Sequence, residues 1–457
     1  MPELKIGEIA EMMEGKVLIG NPETYAKGYS IDSRTIKEGE LFFAIQGVRD
    51  GHDFVLDALE KGGIGAVVSR MVEVPENKIL ICVDDTLKAL QKLAKKIVEK
   101  LKPKIVGITG SVGKTTVKES TYFILSKFKK CIKSPGNLNN HIGLPLSILN
   151  INVEDEVAIL EMAMSSKGEI KILTEIAPPD ISVITNINPV HLQFFSSVED
   201  IALAKKEILD GTKEEGIAIL NGDDPLVRKI SIDFRGKKFY FGEGKDNEIK
   251  ISDIKRDGEF GIEFTIELLG EKERFNLKPV TKPLVLNLLP AIGVAKVLGL
   301  SLKEISPYIF DFKPFKMRGE IFFLGKIILI DDSYNSNPKA TSTMLEELSC
   351  SKGKRKIAVL GDMLELGERE VEFHRDIGKL VAKLGIDALI TVGSLASFIG
   401  EEAIKWGMAE DRIISFPDSE SASSFVKEFV KDGDVVLVKG SRRLKMEIIS
   451  EKLKGEI

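Results

Sequence analysis

The segment Gly107-Ile108-Thr109-Gly110-Ser111-Val112-Gly113-Lys114-Thr115-Thr116 decides the fold of this chain. It follows a short apolar run, residues 105–106, and leads into an amphipathic stretch, residues 117–128, so the order is strand, glycine turn, helix. In that order the glycines let backbone N–H groups surround an anion at the start of a helix. We therefore predict a phosphate-binding loop in which Lys114 contacts nucleotide phosphates and the Thr115 hydroxyl binds Mg²⁺.

One position of this segment departs from the strict phosphate-loop pattern. That pattern has glycine five residues before Gly113, and this chain has Ile108 there. The alternative is an ordinary glycine-rich turn between a strand and a helix. We favour the phosphate loop, because Gly-Lys-Thr-Thr at a helix start is hard to explain without a phosphate. The predicted ATP contacts from this loop are Gly110, Ser111, Val112, Gly113, Lys114, Thr115 and Thr116.

Length and composition limit the class of protein. A chain of 457 residues is too long for one core, and about three domains are expected. The net charge of −5 gives no general attraction to nucleic acid or anionic membranes. Three distant cysteines, without metal-like spacing, suit buried thiols in a reducing compartment. The N-terminal residues do not have the pattern of a signal peptide, so we expect none, and no apolar run approaches the roughly 20 residues of a membrane span. We expect a cytoplasmic monomer without a membrane span.

The order of predicted strands and helices indicates an α/β protein of three domains. Residues 1–97 read as a small α/β domain. Residues 98–313 alternate strand and helix, as in a mostly parallel sheet, and turn signals with alternating apolar residues add antiparallel hairpins within 231–285. Residues 314–457 repeat strand and helix in the manner of a doubly wound, Rossmann-like domain, whose ligands bind at the carboxyl ends of its strands.

Glu161 is a candidate metal ligand of the central domain. It ends a continuously apolar strand, residues 157–160, which predicts burial on both faces of a sheet. A carboxylate at the carboxyl end of that strand can reach the Mg²⁺ that Thr115 would hold. The alternative, a strand-end glutamate that faces water, is less favoured beside a phosphate loop.

A helix predicted over residues 196–211, with a capping box of Ser196 and Glu199, carries the second candidate. Lys205 stands where the apolar stripe of this helix calls for a core residue. If Lys205 is buried, its neutral amine could add CO₂ and become a metal-binding carbamate. Alternatively, Lys205 extends its ammonium to water. The sequence pattern supports both interpretations equally. His191, just before the helix, is a candidate ligand, although a lone histidine is more often structural.

Two further groups of residues allow two interpretations each. The amides of Asn137, Asn139 and Asn140 suit polar substrate recognition, and equally a capped turn. Ser33 and Arg34 lie in a charged loop near a predicted strand, and composition alone slightly favours a surface charge for Arg34.

These pieces in this order resemble the Mur ligases, the ATP-dependent amide-bond ligases of peptidoglycan precursor synthesis. The similarity spans essentially the whole chain and is greatest to the member that joins D-alanyl-D-alanine to UDP-N-acetylmuramoyl-tripeptide, because residues 332–338 and 361–367 look like that ligase and not its relatives. The matching segments are Asp32-Ser33-Arg34, residues 107–116, residues 136–140, Glu161, Asn186-Ile187 with His191, Ala204-Lys205, Asn287, Arg318-Gly319-Glu320, residues 332–338, residues 361–367 and Lys439-Gly440-Ser441-Arg442.

The resemblance implies roles for single residues. Catalysis would rest on Lys114, Glu161, His191 and Lys205, with ATP and two Mg²⁺ as cofactors. Glu161 would hold one metal, and His191 with carbamylated Lys205 the second. Asn287 would contact adenine, while Arg318 and Asp332 would contact phosphate and ribose. Ser33 and Arg34 would belong to the uridine diphosphate site, and the implied substrate contacts are Ser33, Arg34, Asn137, Asn139, Asn140, Asn335 and Asn337.

Two positions depart from the family pattern. Ala163 stands where the family usually has glycine, and Leu286, before Asn287, stands where it usually has histidine.

Two other functions compete with the predicted one. A P-loop kinase would need residues 107–116 and Glu161, but it would explain neither the first nor the third domain. Another ligase of the superfamily, such as the enzyme that adds the third residue or a folate polyglutamate ligase, would differ at residues 332–338 or lack the first domain.

Overall fold

Parallel strands that alternate with helices build three successive sheets in the computed structural model, which describes residues 4–190 and 192–455. Apolar clusters cover each sheet, one of them shared by the first and second sheets, and this arrangement confirms the predicted α/β fold of three domains. The predicted boundary between residues 97 and 98 falls inside a helix, Thr86–Leu101. The domain boundaries therefore stay predictions to within a few residues.

The first domain contains a five-stranded sheet in the order β2-β7-β6-β5-β4, parallel except for β2, and the antiparallel pair β1-β3. Its strands are β1 (Leu4–Lys5), β2 (Lys16–Ile19), β3 (Tyr25–Ala26), β4 (Gly28–Ser30), β5 (Glu40–Phe43), β6 (Gly65–Val68) and β7 (Ile79–Cys82), and its helices are α1 (Ile6–Met12), α2 (Val55–Glu60) and α3 (Thr86–Leu101).

The central domain has a nine-stranded sheet in the order β16-β15-β14-β13-β12-β11-β8-β10-β9. The strands are β8 (Lys104–Thr109), β9 (Cys131–Lys133), β10 (Val157–Glu161), β11 (Ile181–Ile184), β12 (Ile217–Asn221), β13 (Lys237–Gly242), β14 (Ile249–Arg256), β15 (Ile262–Leu268) and β16 (Glu271–Leu277). The helices are α4 (Lys114–Leu125), α5 (Gly143–Ile148), α6 (Glu169–Ile176), α7 (Val198–Asp210), α8 (Pro225–Ile230), α9 (Lys282–Val297) and α10 (Leu302–Ile309).

Within this sheet, β14, β15 and β16 form the predicted antiparallel hairpins. The region predicted as antiparallel also includes β13, which instead pairs parallel with β12 and β14. Seven neighbouring strands, from β9 to β14, are therefore parallel, and their carboxyl ends lie along one edge of the sheet.

The third domain has the strand order β17-β18-β22-β19-β20-β21, parallel except for β17. Alternate strand residues belong to two separate apolar clusters, so helices cover both faces, as predicted for a doubly wound domain. The elements are β17 (Glu320–Leu324), β18 (Ile327–Asp331), β19 (Arg355–Gly361), β20 (Ala388–Val392), β21 (Ile413–Phe416), β22 (Asp434–Lys439), α11 (Pro338–Ser349), α12 (Glu370–Lys383), α13 (Ser397–Lys405), α14 (Ser419–Phe429) and α15 (Glu447–Lys454).

Strand β8 lies in the middle of the central sheet, between β10 and β11. Its apolar residues alternate between two core clusters, so both faces are buried and the strand can be continuously apolar. In register, Ile108 pairs with Glu161 and Thr109 pairs with Ile184. The three strands therefore end side by side, and the segments that follow them meet at one place.

The start of α7 differs from the prediction by one residue. The cap is Ser197, whose hydroxyl accepts a hydrogen bond from the Asp200 N–H at 3.1 Å, so the predicted capping box of Ser196 and Glu199 is wrong. Both registers offer a serine with an acidic residue three positions later, which is why the pattern did not distinguish them. The predicted end at Gly211 is confirmed.

Two structural observations bear on other predictions. Within the described part of the chain, no helix is both long enough and apolar enough to cross a bilayer.

Among the three cysteines, Cys82 and Cys131 are partly buried and Cys350 is exposed, and all three are free thiols. The prediction that all three are buried is therefore wrong for Cys350.

His374 attaches the 361–367 loop to α12 in the third domain. Its Nε2 accepts the Met363 N–H at 2.9 Å, and its Nδ1 lies 2.6 Å from the Glu370 carbonyl oxygen, which can only accept. The neutral imidazole satisfies both contacts, whereas a second proton would remove the acceptor for Met363. Burial also lowers the pKa of His374 below its ordinary value of 6.5.

We expect the attachment of this loop to weaken in acid. Because the folded-state pKa is depressed, the unfolded loop binds the proton more readily, so the stabilisation is complete above pH 6.5 and is lost as the pH falls below it. Hydrogen exchange of the Met363 amide, corrected for intrinsic rate, should therefore keep its protection above about pH 6.5 and lose it progressively as the pH falls below that value. The variant His374→Gln keeps a hydrogen-bond acceptor but cannot gain a proton. If the protection of the Met363 amide falls with pH in this variant as much as in the wild type, His374 is not the titrating group.

Candidate active site

The phosphate loop is held in place by the residues that follow β11. The Ser111 N–H donates to the Asn186 carbonyl at 2.9 Å, and the Val112 N–H donates to Asn186 Oδ1 at 2.9 Å. Asn186 Nδ2 and the Thr185 hydroxyl both donate to the Val112 carbonyl, at 2.9 and 2.5 Å. These bonds fix the loop conformation through a neighbouring strand.

Two glycines of the loop have backbone conformations and surroundings that exclude a side chain. Gly110 has φ +149°, and a Cβ there would lie 1.8 Å from Thr185 Oγ1. Gly113 has φ +87°, and its Cβ would lie 2.6 Å from Asn287 Oδ1. Asn287, predicted to contact adenine, therefore lies against the loop where α4 begins.

Lys114 lies partly buried within the loop itself. Its Nζ donates to the Gly110 carbonyl at 2.8 Å. Burial lowers the pKa of Lys114, and the charge of Arg318 adds to this, whereas the carboxylate of Glu161 opposes it. The cation therefore stands next to both a carboxylate and a second cation.

Glu161 is buried at the carboxyl end of β10, as predicted, and its two oxygens have separate partners. The Thr115 hydroxyl donates to Oε2 at 3.0 Å, and Asn139 Nδ2 donates to Oε1 at 2.9 Å. A carboxylate beside a hydroxyl is the oxygen donor set that Mg²⁺ prefers. In the described ranges there is no cluster of three or more His, Cys, Asp or Glu side chains.

The third domain contributes Arg318 to this place. Its Nη2 donates to Thr115 Oγ1 at 3.2 Å, and its guanidinium lies 3.8 Å from the centre of the Tyr334 ring. In the same loop as Tyr334, the Asp332 carboxylate lies 2.6 Å from Lys439 Nζ, which also donates to the Asn335 carbonyl at 2.8 Å. The candidate active site therefore lies where the second and third domains meet.

Lys205 lies buried on α7, with 2% of its surface exposed, so it does not extend its ammonium to water. Burial, helped by the charge of Lys114, sets its pKa well below the ordinary value of 10.5. No other residue with a described position forms a hydrogen bond or ion pair with its amine. His191 lies outside the described residues, and its predicted metal role stays a prediction.

The remaining predicted substrate residues fall into three pairs. Asn140 Oδ1 accepts the N–H of Gly143 at 2.8 Å, and Asn337 Oδ1 accepts that of Ala340 at 2.9 Å, so both amides cap helix starts. The side chains of Asn137 and Asn335 are exposed. In the first domain, the Ser33 hydroxyl donates to Asp57 at 3.4 Å, and the exposed Arg34 pairs with Asp32 at 2.7 Å.

Three residues of the site were not predicted as such: Lys118, Tyr334 and Lys439. Lys118 has a signal in the sequence, since it stands three residues before Thr121 and seven before Leu125 on the buried face of α4. Tyr334 and Lys439 lie in matching family segments, but only the fold shows which partners they have.

Three family models match successive parts of the chain: "Mur ligase family, catalytic domain" at residues 26–97, "Mur ligase middle domain" at 108–295, and "Mur ligase, glutamate ligase domain" at 317–442. The UDP-N-acetylmuramoyl-tripeptide–D-alanyl-D-alanine ligase of Bacillus subtilis is 37% identical over 455 residues, covering 98% of each chain. A crystal structure of MurF from Acinetobacter baumannii matches with TM-score 0.90 and 27% identity, covering 100% of this chain and 99% of that one. MurF from Thermotoga maritima in complex with ADP matches with TM-score 0.84 and 31% identity, covering 94% and 98%.

A pair of glycine variants tests the phosphate loop. Gly113 and Gly168 both precede the first residue of a helix, with φ of +87° and +90°, but only Gly113 has atoms within 4 Å of the added Cβ. Both alanine variants should lose about 1 kcal/mol of stability from the left-handed backbone. Only Gly113→Ala should displace Asn287 and weaken ATP binding, by about tenfold or more, measured by calorimetry. Equal ATP affinity in the two variants would show that the loop does not bind the nucleotide.

Proposed function

This chain belongs to the Mur ligase family, and we propose that it is the ATP-dependent ligase that joins D-alanyl-D-alanine to UDP-N-acetylmuramoyl-tripeptide. The observation that carries this proposal is similarity along the entire chain to ligases with that activity in their name. The geometry agrees, because Arg318 of the third domain reaches the phosphate loop. A simple P-loop kinase would not need the contact that Arg318 of the third domain makes with Thr115.

The chemistry explains why a phosphate loop is needed to make an amide. A carboxylate does not react with an amine, because its leaving group would be oxide. Transfer of the γ-phosphoryl group of ATP to the terminal carboxylate of the tripeptide gives an acyl phosphate and ADP. The amine of D-alanyl-D-alanine then attacks the acyl carbon, the C–O bond to phosphate breaks, and the amide forms with loss of a proton.

Several negative oxygens must meet in this reaction, and the site offers cations for them. The loop N–H groups and Lys114 would bind the phosphates, and Arg318 would add a second positive charge from the third domain. Thr115 and Glu161 would hold Mg²⁺, which supplies charge neutralisation on the phosphate oxygens when bound. Asn287 would contact adenine and Asp332 the ribose.

The acceptor would extend from this site toward the first domain. Ser33 and Arg34 would contribute to the uridine diphosphate site, and Asn137, Asn139, Asn140, Asn335 and Asn337 are the predicted contacts for the peptide parts. Of these, Asn139 has the clearest support, because its amide bonds the predicted metal carboxylate directly. The cytoplasmic location and the monomeric state stay predictions from the sequence.

Lys205 would form a carbamate and supply a ligand to a second Mg²⁺, together with His191. The neutral amine adds to CO₂ and releases one proton, giving a carboxylate-like group on nitrogen. Its burial and its lowered pKa support this, because both favour the neutral amine that reacts.

An assay of phosphate release tests the proposed reaction. We expect release from ATP only when UDP-N-acetylmuramoyl-tripeptide and D-alanyl-D-alanine are both present, with the ligated product seen by mass spectrometry. L-Alanyl-L-alanine serves as the control amine, and Lys114→Ala, which removes the loop cation, should lose at least about two orders of magnitude in kcat/KM. Ligation of glutamate to a folate, or phosphate release with no peptide product, would contradict the proposal.

Labelled CO₂ tests the modification of Lys205. In ¹³CO₂-equilibrated protein we expect a carbamate carbon signal by NMR that disappears in Lys205→Ala. It should persist in Lys206→Ala, because Lys206 is more exposed and pairs with Asp210. Lys205→Ala should also lose activity, and added short carboxylic acids should restore part of it. A variant as active as the wild type, or an unchanged signal, would refute the carbamate.

A further inference from the structure

A second lysine of the central domain is completely buried, and neither the reaction nor the family resemblance assigns it a role. Lys118 lies on α4, four residues after Lys114, with 0% of its surface exposed. Its Nζ donates to the carbonyl oxygens of Ser134 and Gly136, at 2.9 and 2.8 Å. An ammonium without partners would be costly at such a depth, so these bonds explain how it can be buried.

Two carboxylates complete the surroundings of this ammonium. Glu119 Oε1 lies 3.3 Å away and Glu161 Oε2 lies 3.8 Å away. Lys118 therefore stands between α4, which starts at the phosphate loop, and the end of β10, which carries the predicted metal carboxylate. It is the contact through which the 134–140 loop is joined to α4.

The 134–140 loop in turn surrounds Glu161. The Ser134 hydroxyl accepts the Glu161 N–H at 3.2 Å, and Asn139 donates to the Glu161 carboxylate at 2.9 Å. Between these two contacts, Gly136 is exposed, has φ +51°, and has nothing within 4 Å of where a Cβ would be. The Leu138 N–H closes the bend on the Pro135 carbonyl at 3.1 Å, and the bond from Lys118 to the Gly136 carbonyl fixes the bend to α4.

We propose that Lys118 is a positioning residue, whose buried ammonium fixes the 134–140 loop against α4 and thereby holds Asn139 on Glu161. This inference rests on the proposed function, in which the loop contacts the acceptor and α4 begins the ATP site. Lys118 would keep these two binding sites in a fixed relation without touching either substrate. Removing it would leave two carbonyl oxygens without a donor, and the loop would move toward water to satisfy them.

Steady-state kinetics of Lys118→Met test the proposal. Methionine fills a similar volume but donates no hydrogen bond, so the 134–140 loop loses its bonds to α4 while the phosphate loop keeps its own contacts. We expect the KM of the UDP-linked acceptor to rise by about tenfold or more, and the KM of ATP to change by less than about threefold. Hydrogen exchange over residues 134–140 should become faster in the same variant.

Lys133→Met is the matched control. Lys133 also pairs with Glu119, but it is 31% exposed and donates to no carbonyl of the loop. Its substitution should leave both KM values and the exchange of the loop unchanged. Equal rises of the two KM values in Lys118→Met, or no rise at all, would overturn the role of Lys118.

A double-mutant cycle separates positioning from a general loss of stability. If Lys118 acts through Asn139, the pair Lys118→Met and Asn139→Ala should raise the acceptor KM no more than the larger single change does. If the rise of the acceptor KM in the double variant equals the product of the two single rises, the proposal is overturned. Should Lys118→Met fail to fold, Lys118→Gln takes its place in the cycle; because it keeps N–H donors, it should raise the acceptor KM by less, and the double variant should again show no more than the larger single change. Wild-type protein that forms no product would instead contradict the proposed function.

Discussion

The parallel arrangement of three buried strands is the constraint on which the active site depends. The strands β10, β8 and β11 run in one direction and end in register. The ends of the strands therefore place the segments that follow them next to one another. The phosphate loop follows β8, Glu161 ends β10, and residues 185–188 follow β11. Apolar burial on both faces fixes the strands, and the polar chemistry begins only where the sheet ends.

Charge balance at this sheet edge explains why the site needs more than one domain. Glu161 has Lys118 within 3.8 Å and shares Thr115 with Arg318, whose guanidinium donates to the same hydroxyl at 3.2 Å. The central domain alone supplies cations for a nucleotide, as many phosphate loops do. Arg318, stacked on Tyr334, adds charge that is present only when the third domain is in place. The charge at the phosphate loop can therefore depend on whether the third domain is in place beside it.

The sequence predicted local features well and contacts between domains poorly. The strand at 157–160 and the strand–turn–helix order around residues 107–116 follow from short-range sequence patterns, whereas the pattern left open whether Lys205 is buried or extends its ammonium to water. The contact between Arg318 and Thr115 joins residues 203 positions apart, and no local pattern carries that information. The error at the start of α7 has another cause, since Ser196 and Ser197 each have an acidic residue three positions later. The capped-turn alternative given for Asn140 agrees with its bond to Gly143, and Asn337 could have been recognised as a cap, because asparagine before a helix start commonly has that role.

The two buried lysines of the central domain show that burial alone does not decide what a lysine does. Lys118 donates to two carbonyl oxygens and lies near two carboxylates, which are the surroundings that an ammonium requires. Lys205 is equally deep, but it has no such partner among the described residues, and the nearby charge of Lys114 further lowers its pKa. Periodicity places Lys205 on an apolar stripe and Lys118 on the buried face of its helix. Only the atoms around each amine separate a lysine that can hold a loop from one that can react, because the amine of Lys118 has acceptors for its N–H groups and that of Lys205 has none among the described residues.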